Sequence, residues 1–460
     1  MDTLIRGGLI ISPEGSRKGD IRIRGEKIVE IGERLDPEGA NIISAEGKYL
    51  FPGFIDTHTH FDLDAGTFHT ADDFETGTKA AIAGGTTVIL DFTTQEKGET
   101  LMEALEHWHR LADGKCSCDY GFHMSITDWN ENVRKELPKM TEEGVTSYKL
   151  YMAYDNLKVS DGEIFEILKA VEEQGGIIGV HCENGELIKE LAAELLARGE
   201  TGPSVHPKSR PDRIEAEAVY RLLTIAKMAG TPVNIVHLST KRAMEIVRRA
   251  REEGQKVYVE SCPQYFVLED SKYELPGFES AKYVLSPPLR KKEDVDYLWQ
   301  ALMAGEIDTM GTDHCSFHFK GQKERGRENF TLIPNGIPGV EHRPVLMYTY
   351  GVGTGRITKE QMCRVLAENP AKLFGMYPQK GVLKENSDAD IVIWDPNAED
   401  VITAGRQVQN ADHTPYEGMK IKGKPEKVFL RGRLVCENGQ ITVPGQGRYL
   451  YRGKYFRENI

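Results

Sequence analysis

The stretch Gly53-Phe54-Ile55-Asp56-Thr57-His58-Thr59-His60 decides how the rest of the chain is read. A short apolar run, 54–57, stops at alternating histidines. Residues i and i+2 of an extended strand point to one side, so His58 and His60 share a face. Comparable short runs follow at 87–92, 120–126, 147–152, 177–180, 233–236, 256–260 and 309–311. Continuous apolar runs of this kind fit strands buried on both faces, as in a parallel sheet.

Stretches with helical character lie between them, at 71–83, 101–111, 161–173, 212–228, 241–253 and 293–303. Asp161 and the pair Ser239-Thr240 read as N-terminal caps. Eight strands alternating with helices predict an α/β fold, a (β/α)8 barrel over residues 53–375. A doubly wound open sheet competes, but no GxGxxG turn follows the first strand.

The two ends read differently. Residues 1–52 carry strand patterns at 4–11, 20–24 and 27–31, and residues 376–442 carry them at 390–394, 427–430 and 433–436. These read as half-buried antiparallel strands with glycine-rich turns. Neither end alone suffices for a sheet core, so both are expected to join in one discontinuous β-sandwich domain beside the barrel. Residues 443–460, with Tyr449, Tyr451, Tyr455 and Phe456, read as a tail, either frayed or docked on a surface such as a subunit interface.

Lys plus Arg number 58 and Asp plus Glu 71, a formal charge of −13 over 460 residues. That balance argues against a nucleic-acid or anionic-membrane binder, both of which want a basic surface. No apolar stretch reaches the roughly 18–20 residues of a membrane span, and the N-terminus lacks the pattern of a signal peptide. Seven scattered cysteines read as buried, reduced thiols, which predicts a cytoplasmic protein.

Polar groups gather where the apolar runs stop. His181 ends the fifth run, His237 the sixth and Asp313 the eighth. In a barrel the C-terminal strand ends converge on one face, the usual active-site face. Imidazole with carboxylate suits zinc, manganese or iron. One catalytic metal needs about three protein ligands, so His58, His60, His181, His237 and Asp313 point to two metals. Two close cations need an anionic bridge. Lys149 lies inside the fourth run, where a charged ammonium is costly and its pKa should fall. A neutral amine there could take up CO2 and become a carbamate with two oxygens.

The set Gly53 to His60, Lys149, His181, His237 and Asp313 resembles the amidohydrolase superfamily. Three segments sharpen the likeness: Lys149-Leu150-Tyr151-Met152-Ala153-Tyr154, Ser286-Pro287-Pro288-Leu289-Arg290 and Ile333-Pro334-Asn335-Gly336-Ile337. They resemble the cyclic-amidase branch, the dihydropyrimidinases and D-hydantoinases. Asn386 stands where a glycine is common, a loop detail that puts no function in doubt.

The resemblance implies two zinc ions, with manganese or another divalent metal as a substitute. His58, His60 and Asp313 would hold one, and His181 and His237 the other. Carboxylated Lys149 (N6-carboxylysine) and a hydroxide would bridge them. It further implies that the hydroxide attacks a ring carbonyl and that the Tyr154 phenol stabilises the oxyanion. Main-chain groups of Ser286 and Asn335 would hold the ring's amide edges. Asp313 would carry the proton to the leaving nitrogen, giving an N-carbamoyl amino acid.

The implied partners are small cyclic amides, 5-substituted hydantoins or dihydropyrimidines, with a preference for D-enantiomers of hydantoins. Leu63, Phe68 and Leu157, in or beside the loops 61–67 and 156–159, would form an apolar gate. A homotetramer or homodimer is implied, with neither nucleic acid nor membrane as partner. Dihydroorotases and allantoinases share the metal set, but Tyr154 in its Met-Ala-Tyr context favours the hydantoinase reading. The non-enzymatic collapsin response mediator proteins share the fold but lack most of the ligands that are filled here.

Overall fold

A computed structural model describes residues 2–64 and 66–455. Eight strands form one parallel sheet in chain order: β1 (Phe54–Thr59), β2 (Thr86–Thr94), β3 (Asp119–Ser125), β4 (Ser147–Tyr151), β5 (Ile177–His181), β6 (Val233–Ile235), β7 (Val257–Ser261) and β8 (Thr309–Met310). All six residues of β1 and all five of β4 are buried, as expected of strands covered on both faces. The sheet curls until its first and last strands meet. Thr59 pairs in parallel with His314, and the His60 amide donates to the His314 carbonyl at 2.8 Å. This is the expected barrel, and each strand lies within two residues of its apolar run.

Helices connect the strands on the outside. Phe74–Ala83, Leu101–Ala112, Asp161–Glu173, Asp212–Ala229, Lys241–Glu252 and Lys292–Met303 occupy the expected stretches. The expected cap shifts by one residue at the third of these. Ser160, not Asp161, is the N-cap: its hydroxyl accepts from the Glu163 amide at 3.3 Å, and the Glu163 carboxylate accepts from the Ser160 amide at 2.7 Å. A serine with a glutamate three residues on satisfies two end amides at once, and Asp161 adds favourable charge in the first turn. Thr240 caps its helix as read from the sequence.

The two chain ends share one nine-stranded sheet. They join where Ile391–Val401 runs antiparallel to Tyr49–Pro52, with Ile391 opposite Pro52 and Trp394 opposite Tyr49. Most pairings are antiparallel, but Asp2–Ser12 runs parallel to both Ala40–Ser44 and Tyr49–Pro52. The chain crosses back between these strands instead of reversing in a hairpin, a pattern that strand alternation alone does not reveal. Ile5, Ile21, Ile28, Leu50, Ile391 and Phe429 pack together from both ends.

The tail docks on this chain's own barrel. Leu450 donates to the Tyr120 carbonyl at 2.8 Å, and Tyr449 packs against Tyr120 and Phe122. Arg452 is buried, donating to Ser147 Oγ at 2.8 Å and to the Phe122 carbonyl. Phe456 lies outside the described residues. All seven cysteines are buried and unpaired. No helix among the described residues is long and apolar enough to cross a membrane.

Candidate active site

The strand ends bring the candidate groups to one face. His58 Nε2 and His60 Nε2 both approach Asp313 Oδ1, at 3.1 and 3.2 Å. Asp56, two residues before His58, fixes the partner loop. Its carboxylate accepts from the Thr312 amide (3.1 Å), the Thr312 hydroxyl (2.7 Å) and the His58 amide (3.1 Å). Gly311 lets the strands approach so closely, because a Cβ there would lie 2.9 Å from His58 Cβ.

Two carboxylates orient the histidines. Glu260, on β7, accepts from His58 Nδ1 at 2.6 Å and from the Thr57 hydroxyl at 2.7 Å. That bond assigns the proton to Nδ1 and leaves Nε2 as a bare lone pair, with no hydrogen-bond partner of its own. Glu183 accepts from His181 Nε2 at 3.0 Å and is itself held by Arg210 at 2.5 Å. His181 Nδ1 is then the nitrogen that carries the lone pair, and it accepts from His237 Nε2 at 3.0 Å.

The two groups are neighbours, since the His58 and His237 rings lie 5.4 Å apart. Lys149, on β4, is only 1% exposed, with Nζ 4.9 Å from the centre of the Phe92 ring, which itself lies 4.5 Å from the His58 ring. Burial pulls the Lys149 amine down to about 8 and the His60 imidazole down to about 4.

Tyr154 stands beside this cluster, its ring 5.3 Å from that of His181. Its phenol neighbours Arg210 and Ser286, and burial raises its pKa. Tyr154, His237 and Asp313 all have positive φ, 69°, 41° and 53°. Such backbone costs on the order of 1–3 kcal/mol per residue and persists where the surroundings enforce it. Asn335 and Arg210 line a cavity of about 140 Å³ with Ile188, Ala192 and Phe330. Leu63, Phe68 and Leu157 are half-buried and do not line this cavity.

The amidohydrolase family model matches residues 49–435. The chain belongs to that family. A D-hydantoinase of Geobacillus stearothermophilus is 45% identical, over 99% of this chain and 97% of that protein. A D-phenylhydantoinase of Escherichia coli is 39% identical, over 98% of each chain. The crystal structure of dihydropyrimidinase from Brevibacillus agri superimposes with a TM-score of 0.98 at 43% identity, covering 99% of this chain and 100% of that one. Within the family the chain sits in the hydantoinase and dihydropyrimidinase branch, hydrolases of cyclic amides.

Amidohydrolases generally bind divalent metals, and His58, His60 and Asp313 form a cluster of suitable ligand atoms here. The donors fit a cation. His58 Nε2 carries a lone pair, yet it faces a carboxylate oxygen at 3.1 Å; like partial charges at that distance repel unless a proton or a cation lies between them. Sequence reading did not single out Glu260, Glu183, Arg210 or Asp56. The signal for Glu260 was present, since a lone acid inside the apolar run 256–260 is as costly to bury as Lys149.

Proposed function

We propose that the strand-end cluster holds two divalent cations, zinc by preference, and opens the rings of 5-substituted hydantoins and dihydropyrimidines to N-carbamoyl amino acids. His58, His60 and Asp313 would hold one cation, and His181 and His237 the other. A carbamate formed when the neutral Lys149 amine adds to CO2 and loses a proton would span both. Bound there, the cations supply Lewis acidity and lower the pKa of water enough to give hydroxide at neutral pH. The observation that carries this reading is the pair of imidazoles fixed by Glu260 and Glu183 so that bare nitrogens face inward.

The chain's own groups do the rest. Main-chain groups of Ser286 and Asn335 would hold the amide edges of the ring. The Tyr154 phenol, kept protonated by burial, would donate to the oxyanion that develops on the attacked carbonyl. Asp313 would take the proton of the attacking water and pass it to the leaving ring nitrogen, which departs as the ring carbon–nitrogen bond breaks.

The reading extends to a D-preference set by Leu63, Phe68 and Leu157, and to a cytoplasmic homotetramer or homodimer. The test is turnover of dihydrouracil and a 5-substituted hydantoin by zinc-loaded protein. Appearance of the N-carbamoyl product supports the reading, and absence of ring opening with metal bound removes it.

A further inference from the structure

Lys323 plays no part in the chemistry above, yet it is a fully buried lysine, 0% exposed. Burying an ammonium is costly unless its protons find acceptors. Its Nζ donates to the Val284 carbonyl at 2.9 Å and to the Pro334 carbonyl at 3.0 Å. Burial pulls this amine down to about 7.

The two acceptors are not arbitrary. Val284 stands two residues before Ser286, and Pro334 stands immediately before Asn335. The same segments are joined directly where the Gly336 amide donates to the Val284 carbonyl at 3.0 Å. Gly336 has φ 149°, and a Cβ there would lie 2.3 Å from the Cys315 carbonyl oxygen, so only glycine fits the crossing. His206 Nε2 meets the Leu285 carbonyl at 2.8 Å from the other side. Lys323 sits in the short turn Lys323–Gly326, on the segment that leaves Asp313. One amine therefore ties three pieces of chain: the one following Asp313, the one carrying Ser286 and the one carrying Asn335.

We infer that Lys323 is a positioning residue that sets the spacing of the Ser286 and Asn335 main chains against the amide edges of the ring. The inference rests on the ring-opening reading. Without the amine, the part-buried Pro334 carbonyl loses its donor and the Val284 carbonyl keeps only the Gly336 amide. The spacing of the two segments would then relax about the single Gly336–Val284 bond, and a hold on the ring that is equal in bound substrate and transition state would weaken, which raises KM and leaves kcat near its value. Lys323 makes no contact with the histidine cluster, so its loss should spare metal binding.

The experiment compares zinc-loaded wild type with Lys323→Met and Lys323→Gln, full chain, on dihydrouracil and a 5-substituted hydantoin. For Lys323→Met, KM is expected to rise about tenfold or more, with kcat within about threefold and zinc content unchanged. Inhibition by succinimide, which presents the same imide edge, should weaken in parallel, while inhibition by acetohydroxamate, which is directed at metal, should not. A purely structural role would lower Tm and leave that contrast between inhibitors flat. If Lys323→Met does not fold, Lys323→Gln, which keeps one donor group, decides by the same split. A folded variant with KM within twofold of wild type, or one that loses both inhibitors equally, overturns the inference. A zinc-loaded wild type that opens neither ring overturns the functional reading and this inference together.

Discussion

Glu260 accepts the Nδ1 proton of His58 at 2.6 Å, and that bond turns His58 Nε2 onto Asp313. The carboxylate is buried on β7, on the far side of the imidazole from Asp313, and it also holds the Thr57 hydroxyl. Removing it as Glu260→Ala frees the ring to change tautomer and orientation. Metal affinity is then expected to fall about 10- to 100-fold, measured by competition with a chelator. Unchanged affinity would refute this role.

Lys149 carries the bridge in this account. Lys149→Ala should abolish retention of the metal pair and activity, with partial rescue by short carboxylic acids that place an anion in the space left behind. Metal content and turnover with and without added acid check this. An active, metal-loaded Lys149→Ala protein would contradict the bridge.

Tyr154→Phe keeps the ring and removes the phenolic donor. The expected result is a drop in kcat of about 100- to 1,000-fold, as for removal of one oxyanion donor elsewhere, with metal content intact. A kcat within threefold of wild type would assign the oxyanion to other groups.

Asp91 gives a pH dependence of stability. It accepts from Thr59 Oγ1 at 2.7 Å and the Phe61 amide at 2.9 Å, and burial lifts its carboxyl from an ordinary 3.8 to about 7. The folded state then binds this proton more tightly than the unfolded state does. Its contribution to stability is greatest at or below about pH 4, declines as pH rises to about 7 and is level above that. Asp91→Asn should flatten the Tm profile between about pH 4 and 7. A profile of unchanged slope would show that other groups carry the dependence.

Substrate hand is tested by comparing the two enantiomers of 5-phenylhydantoin. Faster opening of the D-form is expected if Leu63, Phe68 and Leu157 form the gate. Equal rates would remove the gate.

The barrel was legible because its strands are buried on both faces and therefore read as unbroken apolar runs. The histidines were legible because they end those runs, and two of them alternate. Lys149 stood out as a charge where none is cheap. The parts that hold these groups were not legible. Glu183, Arg210 and Lys323 sit in loops and short turns whose contacts join residues far apart in the chain. No local period marks such bonds. Asp2–Ser12 likewise finds parallel partners through crossovers that alternation does not encode.

The most direct test is to strip the protein of metal, reconstitute it with zinc in bicarbonate, and measure bound metal and ring opening in the same sample. The account expects two zinc ions per chain and conversion of a cyclic amide to its N-carbamoyl product. A protein that binds no zinc, or that binds two and opens no ring, would contradict it.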